Sequence, residues 1–225
     1  MISVIIPTLN EENNLKRCVE SIKNEGVPCE IIVADGGSTD DTVAVALGCG
    51  GVKVVEARKG RGSQLNEGTF AASGDELLFL HADTFLEKGW ADAVVSALAD
   101  PSCVGGAFTF AIAHPGKRYR LTEYWVKLRC SVLKLPYGDQ GLFIRKDVIE
   151  KIGGYKDIPL MEDVDMVERL KKAGGITILG VKAFTQDRRW AKKGWVRVSL
   201  MNQVIMILYR IGVEPRTLAR LYYRR

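Results

Sequence analysis

Glu30-Ile-Ile-Val-Ala-Asp35-Gly-Gly-Ser-Thr-Asp40 reads as a short apolar strand that ends on a carboxylate, turns on two glycines and enters a helix. The same order, an apolar run and then polar residues, recurs at Ser3 to Glu11 (SVIIPTLNE), at Val52 to Asn66 and at Glu76 to Asp83. Helical patterns separate the runs. Leu15, Cys18, Val19 and Ile22 share one face of Asn10 to Asn24, a second helix starts near Thr39 or Asp40 and stops at Gly48, and a third covers Asn66 to Ser73. Short strands alternating with helices imply right-handed crossovers and parallel pairing. The expected fold class is therefore α/β, doubly wound, with a mostly parallel central sheet. In such sheets ligands bind beyond the carboxyl ends of the strands, where these polar residues lie.

The 225 residues suit one domain with a tail, at about 150 residues per domain. Apolar residues make up 47% and charged residues 26%, which excludes a disordered, collagenous or coiled-coil chain. Met1 to Asn10 lacks the basic start and cleavage pattern of a signal peptide, and the longest uncharged run, Pro101 to Gly116, is too short and too interrupted by Gly and Pro to span a bilayer. Five cysteines without a C-x-x-C pair argue against a disulfide framework or zinc ribbon, so a cytoplasmic location is expected. Residues 1–187 carry 22 basic and 26 acidic side chains, whereas residues 188–225 carry ten basic and one acidic. In the second half, strands are expected at Gly105 to Ala113, Gly141 to Arg145 and Ile176 to Val181. Helices are expected at Lys117 to Leu135, Asp163 to Ala173, Trp195 to Tyr209 and Arg216 to Arg225.

Four candidate groups follow the strands. Asp35 precedes Gly36 and Gly37, a fixed carboxylate followed by a turn that lets backbone approach a ligand; one of Ser38, Thr39 and Asp40 is expected to cap the next helix. Arg61 lies in Gly60-Arg-Gly-Ser-Gln64, where exposed donors before a helix suit a diphosphate and a plain solvated loop fits as well. Asp83, at the end of an apolar strand, needs a metal, a donor or water, and Mg2+ or Mn2+ held jointly with a nucleotide needs only one or two carboxylates. His81 is either a ligand, a phosphate partner or a core residue. Glu162 and Asp163 open a helix, where the dipole favours acids, and the same placement suits an ionised base.

Taken together, Val4-Ile-Ile-Pro-Thr-Leu-Asn-Glu11, Val33-Ala-Asp-Gly-Gly-Ser-Thr-Asp40, Asn66-x-Gly68 with Ala72-x-Gly74-Asp75, Leu78-Phe-Leu-His-Ala-Asp83 and Glu162-Asp163 resemble a family 2 glycosyltransferase with the nucleotide-diphospho-sugar transferase fold. The resemblance covers about the first 190 residues: a donor-binding half over 1–100, an acceptor-side half over 101–190, and a tail over 191–225. It implies an inverting transfer from a nucleotide-diphospho-sugar, commonly UDP-linked, to an acceptor hydroxyl. It also implies that Pro7, Thr8, Asn10, Glu11, Asp35, Gly36, Gly37, Arg61, Gly62, Asn66, His81, Ala82 and Asp83 bind the donor. Asp83 resembles the last acid of the family's Asp-x-Asp metal motif, with His81 in place of the first. Asp163, beside Glu162, resembles the catalytic base. Gln186-Asp-Arg-Arg-Trp190 is similar to the Q-x-x-R-W element of processive members, so Gln186, Arg188, Arg189 and Trp190 are expected near acceptor and diphosphate, with Asp139 and Gln140 on the acceptor side. The chain also resembles a compact bacterial subgroup that includes arsenosugar-pathway and carotenoid-type transferases, which implies a small or lipid-like acceptor.

The tail has three readings: a helix packed on the domain, an interfacial anchor on the inner face of an anionic membrane with Trp195, Tyr209, Tyr222 and Tyr223 at headgroup level, or a homodimer contact through Leu200, Val204, Ile207 and Leu208. Nucleic acid fits least, since no binding motif accompanies the charge. Two other functions compete: a sugar-phosphate nucleotidyltransferase, which calls for a Gly-rich loop where Thr8 to Glu11 stands, and a non-catalytic membrane-surface protein that keeps the fold.

Overall fold

The computed structural model describes residues 1–223, apart from the side chain of Arg189. The first half runs β1 (Ile2–Thr8), α1 (Leu15–Lys23), β2 (Cys29–Asp35), α2 (Thr42–Gly48), β3 (Val52–Glu56), α3 (Arg61–Ala71), β4 (Glu76–Phe79), β5 (Thr84–Leu86) and α4 (Trp90–Leu98). The second half runs β6 (Cys103–Ile112), α5 (Lys117–Leu133), a 3-10 turn (Gly138–Gln140), β7 (Leu142–Arg145), α6 (Lys146–Lys151), α7 (Glu162–Ala173), β8 (Gly175–Thr185), α8 (Arg188–Lys193), α9 (Trp195–Arg210) and α10 (Pro215–Tyr223).

The strands form one sheet in the order β3-β2-β1-β4-β7-β6-β8-β5. β1 to β4 are mutually parallel, β7 runs against both β4 and β6, β8 is parallel to β6, and β5 runs against β8. The sheet is therefore mostly parallel, with two reversed strands. β2 and β3 lie on one side of β1 and β4 on the other, so the strand order reverses between β1 and β4, the place beyond whose strand ends sheets of this kind bind ligands.

Alternation along β1 sends Val4 and Ile6 to one face and Ile5 to the other. The first face is covered by α1, α2 and α4 through Leu15, Ile22, Ala46, Trp90 and Val94. Leu65, Ile149, Val167, Ile205 and Leu218 from α3, α6, α7, α9 and α10 cover the second. Burying both faces explains why the strands read as continuous apolar runs.

Four short elements escape the sequence pattern: β5, α4, α6 and α8. α4 starts after Gly89 in the left-handed region (φ +87°) with no side-chain cap, so its start carries no capping signal. β8 is longer than expected because its second half pairs with β5 on one side and with Thr109 to Ile112 on the other. α3 begins at Arg61, five residues before the expected start, so Arg61 stands in the first turn of a helix rather than in a loop before it.

Candidate active site

One side of the candidate site is built by the ends of β1 and β2. Asp35 is buried and accepts four hydrogen bonds, from Thr8 Oγ1 (3.1 Å), Gly37 N (3.0 Å), Ser38 N (2.8 Å) and Ser38 Oγ (2.5 Å). Burial alone would raise its pKa; the donors of Ser38, Thr8 and Gly37 outweigh that and hold the carboxyl below its ordinary value. Gly37 permits the turn with φ +88°, a conformation that strains other residues. Asn10, itself left-handed (φ +58°), accepts from Thr39 N (2.8 Å) while its own N–H donates to Ser38 Oγ (2.9 Å). Asp40 caps the start of α2, accepting from Thr42 N at 3.1 Å and from Glu12 N at 3.3 Å. Beneath this ring Gln64 Nε2 donates to the carbonyls of Thr8 (2.6 Å) and Ala34 (3.0 Å), joining α3 to two strand ends.

Across the crevice several charged groups share one field. Burial pushes the Asp83 carboxyl up and Glu11 adds to the rise, while Arg188 and Arg61 oppose it. Arg188, 177 residues away in sequence, donates to both Glu11 carboxylate oxygens at 3.2 and 3.4 Å. Arg61 pairs with the buried Glu162 at 2.8 Å. Burial pushes the Glu162 carboxyl up, and Arg61 restrains the rise. Asp163 accepts from Gly138 N and from Val164 N, each at 2.8 Å, which joins the 3-10 turn to the start of α7. Asp139 Oδ1 is buried without a hydrogen-bond partner among the described residues. Burial pushes this carboxyl up to about 6; Arg129 opposes the rise and Asp163 and Asp83 reinforce it. Burial and then Arg61 depress His81 to about 3, so its imidazole is neutral at pH 7.

Several expected site residues have other duties. Asn66 exchanges two hydrogen bonds with the backbone of Tyr155, both 2.8 Å, so its amide ties α3 to the loop before α7. A Cβ on Gly62 would stand 2.2 Å from the Lys156 carbonyl; this glycine is required by that same close approach. Ala82 is buried in the core beside Leu80. Gln140 is buried and engaged with Phe108 O (3.0 Å), Arg129 (3.1 Å) and Tyr137 N (3.2 Å), so it braces the turn. Trp190 packs edge-on against Phe110 and Tyr119. Of Gln186 the backbone N–H reaches Asp83 O at 3.3 Å, and the side chain of Arg189 lies outside the described residues. Pro7 and Gly36 sit at the ends of β1 and β2, Gly36 N donating to Thr8 O at 2.9 Å. Gln64 and Tyr155 carry no sequence signal of their role.

Among the described residues no cluster of three His, Cys, Asp or Glu side chains is set to hold a metal. The donor set still suits a hard cation held jointly with a diphosphate, since Asp83 and Asp139 are carboxylates raised by burial and one oxygen of Asp139 has no partner. A cleft of about 470 Å3 lies elsewhere, between the loop before α7 and the α9–α10 corner, with Lys156, Asp165 and Arg210 in its wall. The Arg61–Glu162 and Arg188–Glu11 pairs join side chains 101 and 177 residues apart.

A model of glycosyl transferase family 2 matches residues 3–155, more than half of the chain. The chain belongs to that family. The family 2 chain is 26% identical over 188 residues to glycosyltransferase AglE of Haloferax volcanii, covering 77% of the chain and 62% of AglE. It is 38% identical over 92 residues to the glucosyl-3-phosphoglycerate synthase of Mycobacterium tuberculosis, covering 36% of the chain and 28% of the synthase. It therefore spans less than two thirds of the length of these two relatives. Among solved structures it resembles the mannosyltransferase PcManGT of Pyrobaculum calidifontis in complex with GDP-Man and Mn2+, with a TM-score of 0.68 at 16% identity over 99% of the chain and 68% of PcManGT. It also resembles the M. tuberculosis glucosyl-3-phosphoglycerate synthase with Mn2+, UDP and phosphoglyceric acid, with a TM-score of 0.61 at 21% identity over 95% of the chain and 79% of the synthase. At these identities the likeness establishes the nucleotide-sugar transferase fold.

Proposed function

We infer that this family 2 chain transfers a sugar, with inversion, from a nucleotide-diphospho-sugar, UDP-linked in keeping with the UDP in the similar synthase structure, to an acceptor hydroxyl. The observation that carries the reading is the common field of Asp83, Asp139, Asp163, Arg61, Glu11 and Arg188 at the crevice between β1 and β4, beside the hydrogen-bonded ring around Asp35. Asp35 and Thr8 hold the nucleoside. Asp83, with His81 beside it, is the residue that would hold Mg2+ or Mn2+, and Asp139 is the second carboxylate within reach of that role. The ion would supply positive charge for the departing diphosphate. Arg61 and Arg188 exchange their carboxylate partners for diphosphate oxygens when the donor enters.

Asp163 is the base. The Gly138 and Val164 N–H groups fix its carboxylate at the N-terminus of α7, in place to take the proton of an acceptor hydroxyl as that oxygen attacks the anomeric carbon and the diphosphate leaves. The acceptor approaches from the side of Asp139, Gln186 and Trp190.

The test is Asp163→Asn assayed with a UDP-sugar panel and Mn2+. Transfer should fall by about 100-fold or more while nucleotide diphosphate affinity is retained, and the anomeric configuration of the wild-type product, read by NMR, should be inverted. Full transfer by the variant, or a retained configuration, would overturn the assignment.

A further inference from the structure

α5 is a 17-residue helix that buries only Tyr119 and Cys130. Leu121, Tyr124, Trp125, Leu128 and Val132, spaced by three and four residues, form one stripe, and every one is at least 40% exposed. The helix thus carries an apolar stripe on its outward side in addition to the residues it buries. α9 has the same feature. Its inward residues Val198, Ile205 and Met206 are buried, while Val196, Leu200, Val204, Ile207 and, just past its end, Ile211 are 45–71% exposed.

The two helices meet where Trp195 Nε1, at the start of α9, donates to Thr122 Oγ1 of α5 at 2.8 Å. The charge is equally segregated. Residues 117–134 and 188–225 together carry 16 basic and two acidic side chains, whereas the remaining 169 residues carry 16 basic and 25 acidic.

We propose that the outer faces of α5 and α9 form one docking surface for an anionic lipid bilayer. Apolar stripes bordered by Lys and Arg match the boundary between acyl chains and anionic headgroups. A second copy of the chain would set the same excess of positive charge against itself. A nucleic acid would meet the basic residues and leave the Leu, Val and Ile stripes uncovered. Trp125 and Tyr124 are of the ring types that membranes hold at headgroup level. α5 leads through Lys134 to Tyr137 into Gly138, the residue that holds Asp163, so on the proposed reaction the docked face brings the acceptor side to the lipid surface.

The experiment is co-sedimentation of the full chain with vesicles of phosphatidylcholine and phosphatidylglycerol in equal parts, against phosphatidylcholine alone, over a salt series. It needs no donor, metal or acceptor, so its outcome is independent of the transfer assay. The chain should sediment with the mixed vesicles, release as salt rises, and show a blue shift of tryptophan emission that Trp125→Phe removes. The double variants L121S/W125S and L200S/I207S, all at exposed positions and expected to melt like the wild type, should each bind about tenfold more weakly or less. The chain remaining in the supernatant at low salt, equal binding to neutral vesicles, or unchanged binding by both double variants would overturn the proposal. So would a dimer that these substitutions convert to monomer without any vesicle binding, since the faces would then cover one another.

Discussion

The two sides of the crevice use similar residues to opposite ends. On the β1–β2 side the acids are satisfied by their own surroundings, Asp35 by four donors and Asp40 by the backbone of Glu12 and Thr42. On the side of the 3-10 turn, α7 and α8, Asp139 Oδ1 and Trp190 Nε1 lack partners among the described residues, and Arg61 and Arg188 hold acids from distant parts of the sequence. A network complete before any ligand arrives makes a rigid seat. Groups left raised in pKa or paired across elements are the ones that a ligand can recruit. On the proposed function, the first side would recognise the nucleoside and the second would carry the reaction.

The largest expected effects separate the two sides. Asp163→Asn should cost about 100-fold or more in transfer with little change in stability. Asp35→Ala should weaken nucleotide binding and also destabilise the fold by about 2–3 kcal/mol, because buried donors lose their acceptor. Measuring kcat, nucleotide affinity and denaturant midpoint on both variants would break the comparison if the two profiles coincided. Gly62→Ala, where the new methyl meets the Lys156 carbonyl, should destabilise by about 1–3 kcal/mol, read in the same denaturant titration.

Asp139 gives the pH-dependent prediction. Its folded-state pKa, about 6, lies above its ordinary value of 3.8, so ionisation costs the folded protein. The stability it contributes is complete below its unfolded value and is lost as pH rises through about 6. Asp139→Asn should therefore gain about 1–3 kcal/mol near pH 8 and almost nothing near pH 4, while transfer falls. Thermal melts across that range decide it; a gain that is flat with pH would assign Asp139 to the satisfied side of the crevice. The smallest effect belongs to Arg188→Ala, about 1 kcal/mol or less in stability because the pair with Glu11 is half-exposed, with the loss appearing in diphosphate affinity.

The donor side was the more legible part of the sequence because each of its acids follows a strand directly, so one topological rule places them all at the same rim. Gln64 escaped because an amide inside a helix has no positional signature, and its two carbonyl partners come from strands 30 and 56 residues away. Asn66 and Gly62 stand in a matching motif, yet their immediate neighbours in space are the Tyr155 and Lys156 backbone, which no local pattern reveals. Asp139 and Gln140 are adjacent in sequence, but only the fold gives one an open oxygen and engages the other on both ends of its amide. A helix over Lys117 to Leu135 was legible in the sequence, but a helical pattern leaves open which of its apolar residues turn inward.

The most direct measurement is calorimetric titration of UDP into the wild type and into Asp83→Ala, each with Mn2+ and with a chelator. Affinity that depends on the metal in the wild type, and that becomes weak and metal-independent in the variant, is the predicted result. Equal affinity in all four titrations would contradict the account, because Asp83 would then have no part in holding the diphosphate through a cation.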